Sequence, residues 1–183
     1  MFKRKDPAPP KPAGASALGE SVDIGTLRDP LLQQAIAVWN EQKGANRFPA
    51  REAMTPRVMA PFLRNIVLVR VIESGADYEF RVVGDAIVQV QGAAFQGLTL
   101  AGIDAQLPGY GAALRPIYDA LVAEGTPRGF RGHIQQSPIK RAFAHETLLL
   151  PLGKDAAVDH ILVVGVYAYT VEQPPPDGER PMR

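Results

Sequence analysis

Cysteine is missing from this chain of 183 residues, and that absence excludes disulfides, thiolate catalysis and Cys-ligated zinc together. Charge of one sign is missing as well. Twenty Lys and Arg stand against 19 Asp and Glu, whereas a dedicated nucleic-acid binder concentrates basic residues on one face. Long apolar runs are also lacking: the longest, Ile161 to Tyr169, has the length of a strand, and a membrane span needs about 20 residues. The basic start at Lys3, Arg4 and Lys5 leads into Pro7-Ala8-Pro9-Pro10-Lys11-Pro12, not into the apolar core of a signal peptide. What is present is ordinary for a globular protein, with 46% apolar and 21% charged residues. A soluble protein of the reducing cytoplasm, one domain with tails, is the expectation.

Residues 1–22, rich in Pro, Ala, Gly, Ser and Lys without apolar periodicity, read as a disordered tail. Residues 173–183, opening on Gln173-Pro174-Pro175-Pro176, read as a second. Between them, 23–172 is expected to fold. Asp29-Pro30 has the cap-plus-proline signature of a helix start. Leu31, Ala35 and Val38 recur at helical spacing beside Leu32, Ile36 and Trp39, up to a stop at Gly44. Thr55-Pro56 repeats the signature for a short helix to about Leu63. Strands follow at Ile66–Ile72, apolar on both faces, and at Tyr78–Val83, where Tyr78, Phe80 and Val82 alternate with Glu79 and Arg81. A helical turn or two to Gln91, with Asp85 as its cap, precedes a glycine-punctuated loop from Gly92 to Gly102. A helix near Gly111–Glu124 contains Pro116, which either delays its start to Arg115 or kinks it. Strands at Gly129–Gln135, Phe143–Leu150 and Asp159–Val171 complete the order.

A helical insert after the second strand, with hairpin-length links among the last three, implies an α+β fold with a five-stranded antiparallel sheet. The first and last strands, both two-sided, belong at its centre. Insert helices cover only one face, so the amphipathic helix around Trp39 is expected across the other. In that position Leu32, Ile36 and Trp39 are the candidate contacts of a two-fold homodimer, with cover of the chain's own sheet as the alternative.

The run Phe80-Arg81-Val82-Val83-Gly84-Asp85, with Leu31–Trp39, Pro49-Ala50-Arg51, Thr55-Pro56, Gly97-Leu98-Thr99 and Leu150-Pro151-Leu152, resembles a family of bacterial single-PAS-domain proteins with an N-terminal helix. The resemblance spans about Leu27–Val171. It implies the PAS sheet order 2-1-5-4-3, a sensor or protein-interaction role, and no defined ligand. Tyr78-Glu79 stands where the family usually has a second basic or aromatic residue ahead of the Phe-Arg pair.

Some PAS domains hold haem, flavin or metabolites. A covalent flavin photocycle is excluded here by the missing cysteine. His133, His145 and His160 are each read as ordinary strand histidines in preference to iron ligands, and none has metal spacing with a carboxylate. No cofactor is assigned. The glycines at 92, 97 and 102 lack the Gly-Lys-Ser/Thr ending of a phosphate loop, and the serines lie in tails or turns with no nucleophile elbow.

The inward set Phe80, Val82, Phe95, Tyr118, Phe130, Leu148 and Leu150 is the candidate site for a small apolar or amphipathic ligand. Alternating apolar residues equally form a packed core, and that reading is placed first. The favoured function is a non-enzymatic regulatory module acting in trans through a ligand or a protein partner. The rival is a cavity enzyme or carrier, for which Glu146, on the side of Leu148, is the one available carboxylate.

Overall fold

Asp29 and Pro30 start the first long helix as their chemistry dictates. The Asp29 carboxylate accepts the Leu31 N–H at 2.8 Å, and α1 (Pro30–Lys43) runs until Gly44 takes a positive φ of 53°. The computed structural model describes residues 17–92, 95–136 and 141–170. The expected helix from Thr55 does not form. Thr55 Oγ1 still accepts the Val58 N–H, but Pro61 has no N–H for the next turn, and the segment instead closes as a 3₁₀ helix at Ala60–Asn65.

Among the described residues six strands build one antiparallel sheet: β1 (Glu20–Val22), β2 (Ile66–Ile72), β3 (Asp77–Val83), β4 (Arg128–Gln136), β5 (Arg141–Lys154) and β6 (Ala157–Thr170). Their order is β1-β4-β5-β6-β2-β3. Without β1 this is the expected order 2-1-5-4-3, with the two-sided strands β2 and β6 paired. The extra strand corrects the assignment of residues up to 22 to a tail. Glu20, Ser21 and Val22 lie in register with Arg131, Phe130 and Gly129, a pairing that two exposed residues and one half-buried one do not announce by periodicity. The rest of the N-terminal tail, and the C-terminal one, lie outside the described residues.

Three helices follow β3: α2 (Asp85–Gln91), α3 (Leu100–Gln106) and α4 (Tyr110–Glu124). The short α3 was not expected, because Gly102 interrupts its pattern; Thr99 caps it by accepting the Gly102 N–H. Pro116 does not delay α4 to Arg115: the helix starts at Tyr110 and runs through the proline. Asp85 is not the cap of α2. Gly84 is, and the Asp85 carboxylate instead receives Arg64 from Nε and Nη2.

Register divides the sheet into two faces. Phe130 lies opposite Thr147, Leu149 opposite Val163, and Val69 opposite both Ile161 and Phe80, which sets these residues on one face. Leu148 with Val164, and Leu68 with Leu162 and Val82, form the other. The α2–α4 insert covers the first, hereafter inner, face. The outer face carries α1 and the Ala60–Asn65 turn.

Candidate functional site

The inner face is floored by aromatic rings. Phe80 meets Phe95 edge-on with centroids 6.3 Å apart, Phe95 lies 5.8 Å from Tyr110, and Tyr78 meets Tyr118 of α4 at 5.2 Å. Phe80, Phe95, Tyr118 and Phe130 are each 3% exposed, so this part of the expected ligand site is filled by its own side chains. Tyr78 donates its hydroxyl to Asp119 Oδ1 at 2.6 Å. Burial first, and then that hydrogen bond, push the Tyr78 pKa up, so the phenol stays protonated.

The other three residues of the expected site do not join it. Val82 should share a face with Phe80, but a bulge between Leu68 and Val69 leaves Arg81 unpaired and turns Val82 outward. Leu148 and Leu150 are fully buried but face outward from the aromatic layer. His145, Thr147 and Leu149 take the inner positions. Because residues 148–150 are all leucine, alternation could not fix the register, and the strand is read one residue out.

Outside, α1 is fastened to the sheet by two groups. Glu146, its side chain 15% exposed, accepts Arg131 through Oε1 at 2.6 and 2.9 Å. Its Oε2 accepts the Arg28 and Asp29 N–H groups at 2.8 and 3.2 Å. Burial alone would raise the Glu146 pKa; the Arg131 guanidinium and the two backbone donors outweigh it and hold the carboxyl below its ordinary value. Further along, Trp39 Nε1 donates to the Pro151 carbonyl at 2.9 Å. The register of β4 reaches β5 only to Leu149, so beyond it the indole and the Pro49 carbonyl, which accepts the Gly153 N–H, occupy the vacated edge of β5. Leu32 and Trp39, proposed as dimer contacts, are 0% and 5% exposed within the chain itself, and Ile36 is partly buried.

A family model described as a PAS domain matches residues 27–168. The chain belongs to the PAS domain family. Among solved structures, one titled as that of an RNA-binding Light-Oxygen-Voltage receptor is 15% identical, covering 63% of this chain at a TM-score of 0.41. The match covers 33% of that receptor chain. No curated protein matches.

In this PAS domain the three histidines have separate fates. His133 is exposed. His160 binds Asp159 at 2.7 Å. His145 is not at a strand end but well inside β5, 4% exposed, with Nδ1 3.1 Å from Thr147 Oγ1 and its ring 5.9 Å from Tyr167. Burial, and to a lesser extent the neighbouring His133, depress its pKa. Among the described residues, no three His, Asp or Glu side chains are grouped to hold a metal ion. No described helix is long and apolar enough to cross a membrane.

Open clefts lie elsewhere on the PAS domain. One of about 400 Å³ separates α3 from α4, where Asp104 caps α4 by accepting the Gly111 and Ala112 N–H groups. A second, of about 510 Å³, adjoins Arg28, Arg131 and Glu146. A third, of about 370 Å³, opens beside Val82 on the outer face. Sequence reasoning missed the Tyr78–Asp119 pair and the burial of His145 against Thr147; the Tyr-Asp pair is 41 residues apart in the chain, and only the fold brings it together.

Proposed function

We propose that this PAS domain is a non-enzymatic regulatory module that works in trans by contacting a separate protein. The observation that carries the reading is the state of Glu146, the one carboxylate on which a catalytic alternative rested. An acid or base needs a free lone pair or proton and a pKa near the working pH. Glu146 instead accepts four donors, is held anionic, and joins α1 to the sheet.

The filled inner layer supports protein contact over a small apolar ligand, because a ligand would have to displace Phe80, Phe95 or Tyr118 from close packing. Homodimerisation enters this reading as association of finished domains, since Leu32 and Trp39 already pack on their own sheet.

Native mass spectrometry of the full chain purified from its host, run beside a turnover screen, tests the proposal. A retained protein partner with no small molecule and no turnover is expected. Turnover abolished by Glu146→Gln in a chain that still folds would move the domain to the enzyme class.

A further inference from the structure

Val82 and Leu107 are the large apolar side chains exposed among the described residues, at 36% and 47%. Val82 does not stand alone. The bulge turns it into the outer-face groove of about 370 Å³, where Met59, Leu63, Ile66 and Leu68 supply an apolar floor. This groove lies where α1 no longer covers the sheet and the Ala60–Asn65 turn begins.

Its rim is basic. Arg51 and Arg64 line it; Arg81 adjoins Val82, and Arg70 lies two residues beyond Leu68 on the same strand. Three carboxylates stand against these four arginines; one, Glu52, neighbours Arg51 and is paired with a further cation, Lys154. Asp85 is bound by Arg64, and Glu79 is shared by Arg70 and Arg81. The patch is therefore positive on a chain whose net charge is only +1. The Arg64, Arg70 and Arg81 side chains are 71%, 50% and 53% exposed, so their outward N–H groups remain open to solvent. Arg51 gives one N–H to the Met54 carbonyl, and a guanidinium carries five.

We infer that this groove docks an acidic, apolar-anchored segment of a partner protein. The inference rests on the proposed regulatory role and names the surface that serves it. Apolar side chains of the segment cover Val82 and the floor, while its carboxylates meet guanidinium forks whose planar donors match them in pairs. A groove of this size takes a short linear segment, not a globular face.

Panning a random-peptide phage library on the immobilised full chain, then titrating enriched peptides by fluorescence anisotropy, tests this. Enriched peptides should carry Asp or Glu beside apolar residues. Their Kd should rise about tenfold or more with Val82→Asp and with Arg51→Glu, and should rise with added salt on the unaltered chain. Thermal melts establish that both variants fold, and the salt series decides the matter even where one does not. No enrichment, enrichment without acidic bias, or binding indifferent to salt and to both substitutions overturns the docking site. A host partner retained in the mass spectrometer whose binding ignores Val82→Asp also overturns it, and leaves the regulatory reading standing.

Discussion

Glu146 shows how differently one residue reads in sequence and in space. In the sequence it is a lone carboxylate on an apolar strand, hence a candidate acid; in the fold it is a clamp that accepts four hydrogen bonds. Replacing it with Gln removes the charge that Arg131 and two backbone donors bind. We expect Glu146→Gln to lower stability at neutral pH by about 1.5–3 kcal/mol, the scale of hydrogen bonds to a charged group, measured by urea unfolding. The folded pKa lies below 4.5, so the folded chain takes up this proton less readily than the unfolded one. The contribution is therefore complete above that value and fades as pH falls through the depressed one. The gap between wild type and variant should close in acid; a gap that persists there would mean the charge is not what matters. His145 gives a separate window. Its folded pKa lies below 6.5, so its site loses stability as pH drops from 6.5 toward the depressed value. His145→Gln, which keeps a polar partner for Thr147, should flatten the fall of the unfolding midpoint as pH drops below the ordinary histidine range. An undiminished slope in the variant would assign the titration to another group.

Elements were legible where local chemistry decides them. Asp29-Pro30 and Gly44 bound α1 because a cap, a proline without a needed N–H and a positive φ act within one turn. The central pairing of β2 with β6 was legible from two strands apolar on both faces, and the rest of the sheet order from the family resemblance. What stayed hidden needs a partner strand to define it: β1, the bulge at Arg81, and the register of the leucine run at 148–150. The junction of β3 and α2 is fixed more tightly than its sequence suggests. A Cβ on Gly84 would stand 2.2 Å from the Arg64 carbonyl oxygen, although its φ of −66° suits any residue. We expect Gly84→Ala to destabilise by about 1–3 kcal/mol through that overlap alone; a melting temperature equal to wild type would show that the two backbones can part freely. At α1, Trp39→Phe keeps the ring but strands the Pro151 carbonyl, an expected loss of about 1–3 kcal/mol. Calorimetry that finds no loss would place the indole bond outside the native state.

For the whole molecule, an apolar sheet must be covered twice. The insert helices and their aromatic layer close the inner face, and α1 with the Ala60–Asn65 turn closes the outer one. The sequence called for such a roof and left open whose helix supplies it. Glu146 and Trp39 fasten the chain's own helix, and the Pro49 carbonyl fastens the segment after it, so the outer face is roofed in cis while the Val82 groove beside that roof stays apolar and open. Trp39 is the single tryptophan, so its fluorescence reports this roof without interference. Acrylamide quenching of the full chain across a dilution series should give a shielded indole whose protection is independent of protein concentration. An indole quenched like free tryptophan, or shielded only at high concentration, would mean that α1 is detached or lies on another subunit, and the roof in cis would be lost.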